Sequence, residues 1–149
     1  MRWTTLVVIA AVFAVGCSDL RDFRGVWEGA RVGTADVVKV GAPQATSATL
    51  SIDDIDAHGL TGTISIQGLV SDAPVSTVPG AEADALAGMT FSGAPLRVYL
   101  AFVAIADGRG DALAVIALYD HHRIEVRVLR GGSGPLYAIY ALTDDEALP

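Results

Sequence analysis

The chain has 149 residues, a formal net charge of −7 at neutral pH and a single cysteine. Its length predicts one domain with a sizeable hydrophobic core. The acidic balance argues against nucleic-acid binding, because phosphate contacts need clustered Arg and Lys. One cysteine excludes an internal disulfide and a zinc site built from several thiolates.

The N-terminal segment has the layout of an export signal. Arg2 is followed by an uncharged, mostly aliphatic stretch over residues 3–16. This stretch is shorter than the about 20 residues that span a bilayer, and it is typical of a signal peptide. It leads into the sequence AVGC at residues 14–17. Removal of residues 1–16 is therefore predicted, and the remainder carries nine basic and 17 acidic residues, a net charge of −8.

The sequence at residues 14–17 resembles the lipobox of bacterial lipoproteins, in which a small residue precedes a lipid-modified cysteine. The resemblance implies that acyl chains on Cys17, such as palmitate, anchor the mature protein in the cell envelope. In such proteins the next residue helps to select the membrane, and Ser18 in place of aspartate favours the outer membrane. Asp19, one residue later, leaves the inner membrane open as the location. The alternative to a lipoprotein is an ordinary secreted protein, or a short membrane anchor, in which Cys17 is a bystander.

The remaining chain is predicted to be a tether at residues 17–22 followed by one β domain at residues 23–149. Short alternating runs separated by Gly, Thr and Ser are typical of all-β domains. One short helix is predicted at residues 81–87, closed by Gly88, within a proline-containing loop at residues 71–95. The total of about seven or eight strands fits a small antiparallel barrel or a two-sheet sandwich.

The N-terminal half contains four of these predicted strands. They cover residues 25–32, 36–40, 48–53 and 60–67. The last two form a candidate hairpin, because alternate residues in both are large and aliphatic. The apolar face of that hairpin consists of Leu50, Ile52, Ile64 and Ile66.

The C-terminal half predicts a four-strand meander. Its runs are separated by turns at residues 107–110, 121–122 and 131–134, and they cover residues 96–106, 111–120, 123–130 and 135–143. Hairpins closed at these turns place one apolar face across all four strands. The candidate core or ligand-facing residues come from this face and from the first strand: Trp27, Leu100, Phe102, Val115, Tyr119, Val126, Tyr137 and Ile139.

The first predicted strand opens with FRGVWEG at residues 23–29. This segment resembles the Gly-x-Trp opening of lipocalin-like (calycin) barrels, where the tryptophan plugs one end and an arginine from a late strand packs over it. The last predicted strand has no arginine, so the resemblance would assign that role to Arg127 or Arg130. It implies a barrel that carries a small apolar ligand. Trp27 as an ordinary core aromatic is the alternative.

Two short motifs contain candidate metal ligands. Residues 54–59 read D-x-D-x-H-G, which is similar to the start of a calcium loop, but Ser65 stands where a bidentate acid is expected. Residues 120–122 read DHH, and together with Glu125 they contain ligands for a transition metal. The first motif lacks its bidentate acid, and adjacent histidines in the turn of the second point in different directions. A hairpin turn is therefore favoured over a metal site at both motifs. We predict no metal and no cofactor.

No catalytic constellation is found. The chain lacks a Gly-x-Ser-x-Gly elbow and a phosphate-binding loop, and lipidation would use its only thiol. We therefore predict no catalytic residue and no enzyme activity. The predicted function is that of a lipid-anchored envelope domain that interacts non-covalently with an envelope protein, and a carrier of a small apolar ligand is the alternative. A transmembrane barrel is disfavoured because aromatic girdles are missing.

Replacing the predicted anchor residue provides the first test. Cys17→Ser should abolish lipid modification and leave the precursor uncleaved, because the cysteine thiol is the acceptor. Metabolic labelling with a palmitate analogue measures this. Label on the serine variant, or no label on the wild type, would contradict the anchor.

Overall fold

The computed structural model describes residues 19–32, 47–79, 91, 93–106, 108, 110–120, 122–131 and 136–144. These residues contain one 3-10 helix, Leu20–Phe23, and nine strands. The strands are β1 (Gly25–Arg31), β2 (Ser47–Ile55), β3 (Leu60–Ile66), β4 (Val70–Ser76), β5 (Val78–Pro79), β6 (Arg97–Ala104), β7 (Asp111–Tyr119), β8 (Arg123–Arg130) and β9 (Leu136–Asp144). Cys17, the strand predicted at 36–40 and the helix predicted at 81–87 lie outside the described residues. The 3-10 helix begins within the segment predicted to be a tether.

All described strands belong to one antiparallel sheet. Their order is β4-β3-β2-β1-β9-β8-β7-β6-β5. Because β4 and β5 follow each other in the chain, the two edges of this sheet are the halves of a single bent strand. The sheet therefore rolls into a nearly closed, eight-stranded, up-and-down barrel. The all-β prediction is confirmed, including the C-terminal meander, which is formed by β6 to β9.

Thr77 lies at the corner where the bent strand changes partner. Its backbone N–H donates to the carbonyl of Leu60 at 2.9 Å, and its hydroxyl accepts from the backbone N–H of Leu60 at 2.8 Å. Beyond this corner, residues 78–79 pair with β6. At the other end of the seam, the N–H of Ala106 donates to the carbonyl of Leu69 at 2.9 Å. These contacts join the two edges of the sheet.

The loop predicted over residues 71–95 is wrong in its first part, where β4 and β5 lie. Pro74 favours a loop at this point of the sequence, because proline removes a hydrogen-bond donor from the ladder. The structure pairs Pro74 with Thr63 of β3. Proline is tolerated at the edges of hydrogen-bonded ladders, and the ladder of β4 lies on one side only.

The barrel interior is filled by side chains. Fifteen inward-facing residues are at most 3% exposed: Trp27, Leu50, Ile52, Ile64, Ile66, Tyr99, Ala101, Val103, Ile116, Leu118, Ile124, Val126, Val128, Tyr140 and Leu142. At this exposure, almost none of their surface is accessible to water, either from outside or from within the barrel. Eight strands enclose a space that side chains alone can fill. The apolar face predicted for the β2–β3 hairpin lies in this interior.

Two inward-facing glycines let neighbouring strands approach closely. A Cβ atom on Gly29 would lie 1.8 Å from the carbonyl oxygen of Ala141, and one on Gly62 would lie 1.9 Å from that of Ser51. No side chain fits at such distances. Glycine is used in this way where a strand bends sharply within a barrel.

The register predicted for the meander is wrong. The structure pairs Phe102 with Leu113, Val115 with Arg127, and Val126 with Tyr140. The β6–β7 prediction is two residues out of register, and the β7–β8 and β8–β9 predictions are one residue out. A slip of one residue exchanges the two faces of a strand. The β7–β8 connection has three residues instead of two, and it ends at His122 with φ +52°, which is typical of three-residue hairpin loops.

In this register six of the candidate core or ligand-facing residues lie on the outer face of the barrel, where Val115 and Tyr119 are nevertheless buried: Leu100, Phe102, Val115, Tyr119, Tyr137 and Ile139. Phe102 is 74% exposed. The remaining two candidates, Trp27 and Val126, lie in the interior. The faces were exchanged because Ala, Val and Leu occupy both sides of these strands, so alternation does not identify the buried side.

Part of the outer face is also buried. Val115 on this face has no exposed surface. Beside it, Glu125 accepts a hydrogen bond from Arg127 at 2.5 Å, and both side chains are less than a tenth exposed. The guanidinium of Arg127 lies 4.7 Å from the ring centre of Phe91. A buried ion pair is costly to break because removal of one partner leaves an unpaired charge.

A pair of valines tests the register. Val126→Asp should destabilise the protein by several kcal/mol, because it buries an unpaired charge in the interior. Val26 is 53% exposed, so Val26→Asp should cost about a few tenths of a kcal/mol. Thermal unfolding measures both. Equal melting temperatures would show that Val126 does not face inward.

Candidate functional site

Trp27 closes the end of the barrel where β1 begins. Its side chain is buried, and its indole stacks on the ring of Phe23 with the centres 5.5 Å apart. The indole N–H donates to the carbonyl of Phe23 at 2.8 Å. The 3-10 helix brings Phe23 to this position, and Asp19 caps that helix by accepting from the N–H of Arg21 at 3.1 Å. The polar edge of the indole is thus satisfied inside the barrel end.

His122 is the third ring of this aromatic group, and its ring centre also lies 6.4 Å from that of Phe23. Its ring centre lies 6.2 Å from that of Trp27, with the planes 13° apart. The left-handed backbone at His122 is uncommon outside glycine, although histidine tolerates it better than most residues. The calycin resemblance assigned the covering position to Arg127 or Arg130. Instead, the structure places Arg127 on the outer wall against Glu125, and Arg130 lies at the opposite end of β8.

A carboxylate holds the imidazole in place. Nδ1 of His122 lies 3.1 Å from Oδ2 of Asp144, which is the last residue of β9. This contact leaves Nε2 as the nitrogen available to a ligand. The second carboxylate oxygen, Oδ1 of Asp144, is buried without a hydrogen-bond partner among the described residues. Buried polar atoms are normally paired, and this oxygen is an exception among the described residues.

These residues surround a cleft of about 530 Å³, called here the Trp27 cleft. It is lined by Asp22, Arg24, Gly25, Val26, Trp27, His122 and Asp144. Asp22 and Asp144 supply negative charge, and Arg24 supplies positive charge. Arg24 also forms an ion pair with Asp54. The cleft therefore offers both signs of charge around an aromatic floor.

A second cleft, of about 420 Å³, lies on the other side of the β7–β8 turn. It is lined by Gly93, Ala94, Tyr119, Asp120 and Arg123. The guanidinium of Arg123 lies 4.0 Å from the ring centre of Tyr119. The hydroxyl of Tyr119 is buried without a hydrogen-bond partner among the described residues. Asp120 and His122, although both in one turn, thus line different clefts.

The motif at residues 54–59 forms the turn between β2 and β3, as favoured. Oδ1 of Asp56 accepts from the N–H groups of His58 at 2.7 Å and Gly59 at 2.9 Å. These two hydrogen bonds lower the pKa of the Asp56 carboxyl. The hydroxyl of Tyr99 donates to the carbonyl of Asp56 at 2.7 Å, and burial raises the pKa of Tyr99. The carboxylate is therefore engaged in holding the turn.

The ligands of the second metal motif do not converge. Glu125 contacts Arg127 on the outer wall, whereas His122 contacts Asp144 at the barrel end. His121 lies outside the described residues. Among the residues that the structure does describe, no group of three or more His, Cys, Asp or Glu side chains is placed to hold a metal ion.

Of the residues singled out as candidate core or ligand-facing positions, only Trp27 lines the first cleft. Sequence reasoning did not assign a site role to Asp22, Arg24 or Asp144, and it considered His122 only as a metal ligand. One signal pointed to the barrel end, since the Gly-x-Trp resemblance implies an arginine from a late strand packed over the indole, and the structure has His122 against it instead. Asp144 is paired with Trp27 across β1 and β9, and this pairing is not visible without the register.

The chemistry available in the Trp27 cleft favours binding. A histidine oriented by a carboxylate can act as a general base. The described residues that line this cleft include no Ser, Thr or Cys to serve as a nucleophile. Charged groups beside an aromatic floor instead suit the recognition of a small polar group.

Comparison of this chain with protein-family models, curated proteins and solved structures found no match. Within the described residues, no helix has both the length and the apolar character needed to cross a membrane.

Proposed function

We propose that the mature chain is a lipid-anchored β-barrel of the bacterial cell envelope with a non-catalytic binding role. Cys17 anchors it, and Ser18 directs it to the outer membrane. The support for the anchor is the aliphatic stretch that ends in AVGC at residues 14–17. A net charge of −8 after removal of residues 1–16 repels anionic lipids, so the acyl chains have to hold the protein at the membrane.

The packed interior is the observation that supports binding at the surface instead of transport of a cargo. A pocket for a small ligand usually encloses about 300–1,000 Å³. A cavity of that size inside the barrel would leave the side chains around it with accessible surface. Ile116, Leu118 and Ile124, which face each other across β7 and β8, have no exposed surface at all. The Trp27 cleft lies at the barrel end, and the second cleft is lined by Tyr119 and Arg123 of the outer face. A cargo would have to displace packed side chains, and that is costly.

The second candidate function is a lipocalin-like carrier of a small apolar ligand. The eight-stranded up-and-down order and the stacked Trp27 favour it, because both agree with the Gly-x-Trp resemblance. The packed interior opposes it. Fold alone does not determine function, so a property of the site has to distinguish the surface-binding domain from the carrier.

Addition of a fatty acid separates the two candidates. In a protein from which Trp3 has been removed, by processing or by Trp3→Phe, Trp27 is the only tryptophan. A filled barrel should leave the Trp27 emission unchanged when oleate is added at micromolar concentration, because the interior has no room for the chain. Fluorescence titration measures this. A saturable change in emission would favour the carrier and overturn the proposal.

A further inference from the structure

The two edges of the sheet lie next to each other along a line that hydrogen bonds close only at its ends. One edge is β4 and the other is the second half of β6, and this line is called here the β4–β6 seam. At one end, residues 78–79 pair with β6. At the other end, the N–H of Ala106 donates to the carbonyl of Leu69. Between these ends no backbone hydrogen bond joins β4 to β6, although the structure describes every residue of both strands.

The free backbone groups of β6 point into this seam. The N–H of Ile105 donates to Gly110 on the β7 side, whereas that of Ala106 donates across the seam. Because N–H groups alternate between the two sides of a strand, those of Phe102 and Ala104 are directed toward β4. Neither has a partner there among the described residues. An edge with unpaired N–H and C=O groups is not held to its neighbour by a ladder.

Pro74 prevents β4 from completing a ladder across the seam. The N–H of Thr77 donates to Leu60 of β3, so by the same alternation the backbone groups of Pro74 and Ser76 are directed away from β3. Proline has no N–H, and β4 therefore lacks a donor on the side that faces β6. A bulge at Asp72, with φ +43°, bends the strand further from a regular ladder. Both features are typical of sheet edges that stay unpaired.

The interior side chains along the seam are small. Between its closed ends the inward-facing residues of both strands are Ala or Val, and they are at most 5% exposed: Val70, Ala73, Val75, Ala101 and Val103. Elsewhere the interior contains large groups such as Trp27, Ile64 and Tyr140. Burial of apolar surface stabilises a protein in proportion to its area. Separation of β4 from β6 therefore exposes less apolar area, and breaks fewer hydrogen bonds, than separation of β1 from β9 or of β7 from β8.

We infer that the barrel opens sideways along the β4–β6 seam, and that this opening is the route by which a small molecule reaches the interior. The barrel end at Trp27 offers no such route, because the indole is 1% exposed and packs against Phe23 and His122. Among the described hydrogen bonds, only those of β5 and the one between Ala106 and Leu69 have to break at the seam. The bent strand thus acts as a strap that is fastened at both ends. The inference depends neither on the lipid anchor nor on a ligand.

Two matched alanines test the opening. Ala101 of β6 lies at the seam and Ala138 of β9 lies away from it, and both face the interior with 3% exposure. In the full chain under native conditions, a small maleimide should label the introduced thiol of Ala101→Cys at least about tenfold faster than that of Ala138→Cys, because local opening costs less free energy than global unfolding. Peptide mass spectrometry measures the labelling at each position separately from Cys17.

The thermal stability of the variants is measured alongside their labelling. Val75→Cys at the seam and Ala48→Cys on β2, which are 2% and 3% exposed in the unaltered chain, replace the first pair if either alanine variant fails to fold. Equal labelling rates, or faster labelling away from the seam, would overturn the inference, because the interior would then be reached by unfolding or by another route.

Amide hydrogen exchange in the unaltered chain tests the unpaired edge itself. The amides of Phe102 and Ala104 should exchange faster than those of Ala101 and Val103, which are directed to β7 and paired in its ladder. NMR spectroscopy follows the four amides individually. Equal protection of all four would show that β6 is hydrogen-bonded on both sides, and the seam would then not be the line along which the barrel opens.

Discussion

The packing of one indole holds together the elements on which the site depends. Trp27 stacks on Phe23, donates its N–H to the Phe23 carbonyl and lies beneath His122. Through these contacts the 3-10 helix, β1 and the β7–β8 turn meet at one point. Replacement of a buried tryptophan by alanine typically costs about 3–5 kcal/mol, a large share of the 5–15 kcal/mol by which a small domain is usually stable. The charged groups of the cleft are positioned around this ring.

Closure of the sheet is the reason that we propose binding at the surface. Thr77 carries the chain from the ladder with β3 to the ladder with β6, so that both edges of the sheet belong to one bent strand. A barrel of eight strands encloses only enough volume for its own side chains unless small residues leave space. Ala101 and other small residues do face inward, but Trp27, Tyr99 and Tyr140 fill the interior beside them. The groups left to meet a ligand are those at the rim.

The fold class could be predicted from the sequence, whereas the faces of several strands could not. In the β2–β3 hairpin, Thr and Ser alternate with Leu and Ile, and this contrast identifies the buried face. In β6, β7 and β9 both faces are apolar, so the turns alone had to set the register, and their lengths were misjudged by one or two residues. The strand β4 was missed because Pro74 is read as a breaker when the position of the strand in the sheet is unknown.

The site could be predicted only in part. Gly25 and Trp27 form a local motif, and the sequence therefore indicated a plugged barrel end. His122 and Asp144 are far from Trp27 in the chain, and they reach it only through the pairing of β1 with β9 and the three-residue turn after β7. Such contacts follow from the register, which was the weakest part of the prediction. The unpaired oxygen of Asp144 is a property of the folded packing and has no signature in the sequence.

The claim that Trp27 seals a filled barrel is tested most directly by its own fluorescence. In folded protein without Trp3, the emission should be blue-shifted and poorly quenched by acrylamide or iodide, because the indole is buried and packs against both Phe23 and His122. Both properties should change together when the protein unfolds in denaturant. A red-shifted emission that acrylamide quenches freely in the folded state would contradict the account, since Trp27 would then lie in solvent.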